Sequence, residues 1–213
     1  MGLRFFERTN TEKKRFEKTR DSRCLQDCES EAKQSVVSTY KKEINMKLIA
    51  AVDKNWAIGF KGKLLASIRA DQMNFKKLTL GNVVVLGRKT MDTFPNQRPL
   101  PQRRNIILSR NPNYKVKDAE VVHSKEELLA LIKREKIDTD SIFIIGGESL
   151  YREFLPLCDT AIITKINYAY EADAYFPNLD EDEEWECVEE GEEQTCFDME
   201  FCFTTYKRKN DIK

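Results

Sequence analysis

From residue 46 onward the chain alternates short apolar runs with amphipathic or polar stretches: "KLIAAV", "NVVVLG", "NIILS", "AEVVH", "SIFIIGG" and "TAIITKI" recur in that order. Runs this short and this apolar fit strands buried on both faces, and their alternation with helical segments predicts an α/β sheet that is largely parallel in its middle. The clearest helix opens at Ser124, where "SKEE" fits a capping box with Glu127 and the following Leu128, Leu129 and Ile132 share one face. A second amphipathic helix follows "GKLLASIRADQMNFKK", residues 62–77, with the carboxylate of Asp71 just ahead of it in surroundings otherwise apolar or basic. At the end, "WECVEE" and "FCFTTYKR" predict two strands joined by a turn near Gly191, an antiparallel edge that ties down the C-terminus.

Residues 1–45 have a different texture. They are polar, carry few branched aliphatics and show no sustained period of 3.6 or 2, so they hold no core of their own. They are expected to form an appendage, partly helical around Phe5, Phe6 and Phe16 or else disordered, followed by one catalytic domain over residues 46–213. Met46 doubles as a candidate translation start.

Charge and cysteine content narrow the function classes. Lys+Arg and Asp+Glu each number 36, so net charge supplies no nucleic-acid footprint, and a small-molecule substrate is expected. The acidic run over residues 180–193 reads as a solvated rim. No apolar stretch approaches a membrane span, the first residues lack an apolar signal core, and their glutamates argue against an organelle presequence; the cytoplasm is the expected compartment. The six cysteines, at 24, 28, 158, 187, 196 and 202, form no C-x-x-C pair, so they predict neither a disulfide framework nor a metal site, although Cys24 and Cys28 would share a helix face.

Two apolar runs end in glycine ahead of a helix-like segment. In "VVVLGRKTM" Gly87 precedes Arg88, Lys89 and Thr90, and in "IFIIGGESLY" Gly146 and Gly147 take that place. A strand–Gly–helix junction lets backbone N–H groups approach a phosphate, and two of them in one small sheet point to a dinucleotide. Arg103, in "RPLPQRRNIILS", has a guanidinium suited to gripping a carboxylate; its bland alternative is a solvent-facing loop residue. His123 is the single histidine and sits at a strand end, which favours a structural role. No Ser or Cys lies in a nucleophile elbow.

Together these motifs resemble the dihydrofolate reductases of the chromosomal bacterial and eukaryotic type, from about Met46 to Lys209. "LIAAVDKNWAIG", Asp71 with Phe75, "VVVLGRKTM", "RPLPQRRNIILS", "IFIIGGESLYREFLP", "TKI" and "DAYFP" follow in the family's order and spacing. The resemblance implies a central sheet of eight mostly parallel strands flanked by four helices, with an antiparallel C-terminal strand pair. It implies NADPH as cofactor, 7,8-dihydrofolate as substrate and a monomer. By the same resemblance Asp71 pairs with the pterin 2-amino group and N3, and Thr164 is its partner hydroxyl. Ile49 and Phe75 contact the substrate, and Arg103 binds the α-carboxylate of its glutamyl tail. Ala51, Ile58 and Gly59 fall beside the nicotinamide. Gly87, Arg88, Lys89, Thr90, Ser109 and Arg110 meet the phosphates, where a basic cluster favours NADPH over NADH. Ile145, Gly146, Gly147, Glu148, Ser149, Leu150 and Tyr151 complete the cofactor side, the glycine pair being joined in the family by a cis peptide.

The sequence also departs from the family. Where Pro-Trp is usual before the acid it has Leu65-Ala66, and where Pro is usual two residues before the acid it has Arg69. Ala66 has no donor to anchor a water near the pterin, a task Ser67 is expected to share. Arg69 is placed to lower the pKa of Asp71 unless it points outward, and Gln72 is expected to make the ring pocket more polar. The loop "PNQ" before Arg98 is slightly long. These changes keep two alternatives open: a reductase of another pterin or of a ribosylamino-pyrimidine, and a nucleotide-binding homologue with impaired turnover.

Overall fold

The computed structural model describes residues 44–209. The extension read above as residues 1–45, with Cys24 and Cys28, therefore lies outside the described residues except for its last two positions. Every apolar run named from the sequence forms a strand: β1 (Met46–Val52), β4 (Val83–Gly87), β5 (Arg104–Leu108), β6 (Glu120–Val122), β7 (Ile142–Ile144) and β8 (Cys158–Ile166). The four α-helices among the described residues are α1 (Arg69–Thr79), α2 (Arg88–Asp92), α3 (Lys125–Glu135) and α4 (Glu148–Phe154). Three short strands, β2 (Ala57–Phe60), β3 (Lys63–Leu64) and β9 (Ala174–Tyr175), form a separate small sheet in the order β3-β2-β9.

The main sheet ends with β10 (Trp185–Glu190), β11 (Gln194–Cys196) and β12 (Met199–Arg208) and has the order β10-β12-β8-β1-β7-β4-β5-β6, with β11 also on β12. Every pair from β8 through β1, β7, β4 and β5 to β6 is parallel, and only β12 and its partners run antiparallel. Val84, Val85 and Leu86 have no exposed surface, nor do Ile106 and Ile107 beside them, as strands covered on both faces require. The parallel direction brings the carboxyl ends of β7, β4 and β5 to one rim, where ligands of open α/β sheets bind.

Two local expectations are corrected. The chain does not reverse near Gly191: β10 and β11 lie one after the other along β12, and the reversal falls at Phe197 and Asp198, between the paired Cys196 and Met199. Phe197 takes a φ of 53° there, and the Gly191 N–H donates to Phe203 O at 2.8 Å, keeping the interrupted strand on its partner. At α3, Ser124 Oγ accepts from the Glu127 N–H as foreseen, but the Glu127 carboxylate takes the N–H of His123, one residue before the cap.

Asp53 fixes the turn that leaves β1. Its side chain is 3% exposed; Oδ1 accepts from the N–H groups of Asn55 and Ala57 at 2.8 and 2.9 Å, and Oδ2 from that of Tyr170 at 2.8 Å. One carboxylate thus joins the β1–β2 turn to the segment after β8. Asp53→Ala leaves three backbone donors without their acceptor, that of Ala57 buried, and is expected to destabilise the domain by about 3 kcal/mol. Urea unfolding measures this as a lowered midpoint; an unchanged midpoint would show that water replaces the carboxylate at no cost.

Candidate active site

The register of β1 with β8 sets Ala51 opposite Thr164, at the centre of the sheet. α1 crosses this region with its N-cap at Ile68, so Asp71 lies in the first helical turn rather than ahead of it. The helix is seated by Phe75 and Leu78, which pack on the buried cluster of Ile49, Val84 and Phe143. Its first turn is seated by Ile68 and Ala70, packed with Ile166 and Phe201. These contacts hold the Asp71 carboxylate against β8, where Thr164 Oγ1 donates to Oδ1 at 2.6 Å.

Burial pushes the Asp71 pKa above its ordinary 3.8, and the Thr164 hydrogen bond draws it partly back. Arg69, the first residue of α1, is exposed and takes no part in this balance; it points outward, as the one exception to its expected effect required. Gln72 is exposed as well, donating from Nε2 to Ser67 Oγ at 3.0 Å, so it braces the loop and does not make the ring pocket more polar. Ser67 Oγ accepts that bond and keeps its own proton to donate.

Farther along α1, Phe75 is half-buried, and the Arg103 guanidinium carbon stands 5.8 Å from its ring centroid. Burial lowers the pKa of Arg103, though a guanidinium stays cationic. The adjacent Arg104 differs: its fork is filled by Glu120 at 2.6 and 2.8 Å and by Glu135 at 2.6 Å. Of the two arginines in sequence, Arg104 has its charge met by two carboxylates, whereas Arg103 bonds only to the Thr79 hydroxyl and the Pro101 carbonyl.

On the other side, the two glycine junctions pack on each other. The Gly87 N–H donates to Gly146 O at 2.8 Å, and the Gly146–Gly147 peptide is cis. A Cβ on Gly146 would stand 3.3 Å from the Thr90 side chain, on a backbone with φ of 135°, and one on Gly147 would meet Thr90 Oγ1 at 3.3 Å. Glycine is called for at Gly146 by its positive φ, and at both positions a Cβ would press on the Thr90 side chain. Arg88, Lys89, Ser109 and Arg110 line the same rim after β4 and β5. Arg88 Nη1 is paired with Asp92 at 2.9 Å, whereas Ser109 is buried and its carbonyl lies 2.8 Å from His123 Nδ1. Tyr151 is buried, its hydroxyl donating to Ile49 O at 2.8 Å; burial, and secondarily the nearby Asp71 charge, raise its pKa well above the ordinary range. Leu150 is also buried, and the N–H groups of both residues are bonded to Gly147 O, so this pair supports the junction from behind.

The small sheet positions the loop before the acid. A Cβ on Gly59 would lie 2.9 Å from Lys63 O, so the β2–β3 hairpin closes only with glycine at this place. Ile58, half-buried, precedes it in β2. The Lys61 N–H donates to both oxygens of Asp173, at 3.1 and 3.0 Å, and the Asp173 N–H donates to Gly59 O at 3.1 Å. Asp173 and Asp53 are the site-shaping residues that sequence reasoning missed. The Asp-x-Asn spacing at residues 53–55 was a legible turn signal, but Asp173 bonds to a segment 112 positions away and leaves no local mark. Among the described residues no group of three or more His, Cys, Asp and Glu side chains is placed to hold a metal, and Cys158, Cys187, Cys196 and Cys202 are free thiols. No helix among them is long and apolar enough to cross a membrane.

A largely parallel sheet with a glycine-lined basic rim on one side and the half-buried Asp71 on the other suits an enzyme that binds a nucleotide. Comparison with known proteins specifies it. Residues 45–208 match the family model for dihydrofolate reductase. The chain is 36% identical over 167 residues to the dihydrofolate reductase of Staphylococcus haemolyticus, covering 78% of this chain and 96% of that one. It is 34% identical to that of Bacillus subtilis, covering 78% and 95%. A solved structure of dihydrofolate reductase from Enterococcus faecalis, complexed with NADP(H) and RAB-propyl, superimposes with a TM-score of 0.68 at 32% identity, covering 78% of this chain and 96% of the other. The chain belongs to the dihydrofolate reductase family, whose reaction is the NADPH-dependent reduction of 7,8-dihydrofolate to 5,6,7,8-tetrahydrofolate. The residues present fit that cofactor: the glycine junctions free of side chains and the cations Arg88 and Lys89 beside them suit a phosphorylated dinucleotide.

The raised pKa of Asp71 bears on stability. Between 3.8 and its folded value the native state holds more protons than the unfolded chain, so stability falls as pH rises through that window. Asp71→Asn removes this loss while keeping an oxygen for Thr164. The variant is expected to melt above the wild type at pH 7, with the gap closing near pH 3 in thermal unfolding. A wild type that melts higher at pH 7 would mean that the charged carboxylate is stabilised there.

Proposed function

We propose that Asp71 and Thr164 form the pterin-recognition and proton-handling pair of this reductase, with Ile49, Phe75 and Arg103 completing the substrate side. The observation that carries the reading is the half-buried carboxylate of Asp71 with one hydroxyl donor at 2.6 Å. Its remaining acceptor positions suit the flat donor edge of a pterin, the 2-amino group and N3–H. Bound NADPH supplies the hydride that reduces C6. The fixed Asp71 orients the ring for that transfer, and because burial raises its pKa it retains a proton at higher pH than an exposed carboxyl, which assists protonation at N5. Phe75 packs on the ring system, and Arg103 pairs with the glutamyl carboxylate.

On the cofactor side, Ala51, Ile58 and Gly59 border the nicotinamide. Gly87, Arg88, Lys89, Thr90, Ser109 and Arg110 bind the phosphates, and Ile145, Gly146, Gly147, Glu148 and Ser149 close the cofactor cleft with Leu150 and Tyr151 packed behind them. The same reading has a catalytic domain over residues 46–213 working as a cytoplasmic monomer. Equal numbers of acidic and basic residues support small molecules, not nucleic acid, as its partners.

The decisive experiment follows NADPH absorbance on mixing the full chain with dihydrofolate, for wild type and Asp71→Asn. The variant is expected to bind NADPH as before and to lose about a hundredfold or more in turnover at neutral pH. Near wild-type turnover in Asp71→Asn would remove the acid from the mechanism. Cofactor binding without oxidation in the wild type would move the search to another pterin.

A further inference from the structure

At the last position of α1, the side chain of Thr79 has no exposed surface and makes two hydrogen bonds. Its hydroxyl donates to Phe75 O at 2.7 Å and accepts from Arg103 Nε at 2.8 Å. A threonine hydroxyl has one proton, and here that proton is committed to the carbonyl four residues back. Toward Arg103 it therefore acts only as an acceptor. Five guanidinium N–H groups can present a carboxylate with either a side-on pair, Nε with one Nη, or the end-on pair of both Nη atoms. With Nε taken by Thr79, the side-on pair is closed. Nη1 spends one hydrogen on Pro101 O at 3.3 Å and keeps another, while Nη2 has no protein acceptor among the described residues.

We infer that Thr79 is a positioning residue for substrate recognition, holding Arg103 so that it offers a carboxylate-bearing substrate its end-on fork. The inference rests on the reading of Arg103 as the carboxylate ligand. Thr79 touches neither substrate nor cofactor in this arrangement; it acts through the arginine. Because the same hydroxyl is bonded to the backbone of Phe75, it fixes the carboxylate fork relative to the ring that packs on the substrate. The distance between the two recognition points is thereby set by one buried oxygen.

The test uses the full chain, NADPH and two substrates: dihydrofolate, and 6-methyl-7,8-dihydropterin, which has the ring but no carboxylate. Thr79→Val keeps the volume and removes the acceptor; Thr79→Ala removes both, and Thr79→Ser restores the hydroxyl. For the first two, KM for dihydrofolate is expected to rise about tenfold with kcat held, KM for the dihydropterin to stay put, and Thr79→Ser to behave as wild type. An unchanged KM for dihydrofolate would overturn the inference. So would an equal rise for both substrates, the mark of a merely structural role. Arg103→Leu is measured alongside: if it leaves KM for dihydrofolate unchanged, the carboxylate reading of Arg103 itself fails, whereas a rise there with none in the Thr79 variants defeats only the part assigned to Thr79.

Discussion

A carboxylate buried beside a β-sheet is costly unless something holds it, and in this molecule the 2.6 Å hydrogen bond from Thr164 to Asp71 does so across 93 residues of sequence. For that bond to exist, β8 must pair with β1 in a register that brings Thr164 opposite Ala51. α1 must also be pinned by Phe75 and Leu78 on Ile49, Val84 and Phe143. The apolar core therefore does more than stabilise the fold. It determines how far the acid lies from water, and hence how tightly it keeps its proton.

The two halves of the site meet through β1. Ile49 contributes its side chain to the cluster under α1 and its carbonyl to the Tyr151 hydroxyl of α4. Tyr151 in turn braces the Gly146–Gly147 junction, where the Thr90 side chain leaves little room for a Cβ and Gly146 has a positive φ. Displacement of α4 is thus felt at β1. Both faces of the site are referenced to one central strand, which suits a reaction that needs a donor and an acceptor atom at fixed separation.

What was legible in the sequence follows physical rules. Strands buried on both faces write themselves as continuous apolar runs, and for that reason β1, β4, β5, β6, β7 and β8 were readable. The small sheet was not: strands of two to four residues carry too little period to register, and their pairing depends on Gly59 and Asp173, which are distant in sequence. The same limit explains the misplaced C-terminal turn, since an exposed Phe197 with positive φ is not a residue that announces a reversal. At the site, the identities of Asp71, Thr164 and Arg103 came from ordered motifs resembling a family. Their environment did not. Nothing in "QRRN" says that Arg104 is paired with Glu120 and Glu135 while Arg103 meets only a hydroxyl and a carbonyl, because the pairing carboxylates lie 16 and 31 positions away.

Leu65 and Ala66, the departure that first cast doubt on activity, look different once the loop is seen as a mechanical part. Ala66 packs on the cluster of Ile68, Ile166 and Phe201, and Leu64 beside it is 77% exposed. A small residue at this place gives up polar contact with a bound water, but the loop does not rely on it for its path. That path is set at one end by the β2–β3 hairpin and the Asp173 carboxylate, and at the other by Gln72 on Ser67 and the buried Ile68. Hydrogen bonds from the Lys61 N–H to the Asp173 carboxylate at one end and between the Gln72 and Ser67 side chains at the other hold the segment, so its path does not depend on an indole. Asp71 accordingly keeps the burial that raises its pKa, and the Thr164 hydroxyl bonded to it and the cis Gly146–Gly147 peptide remain in place.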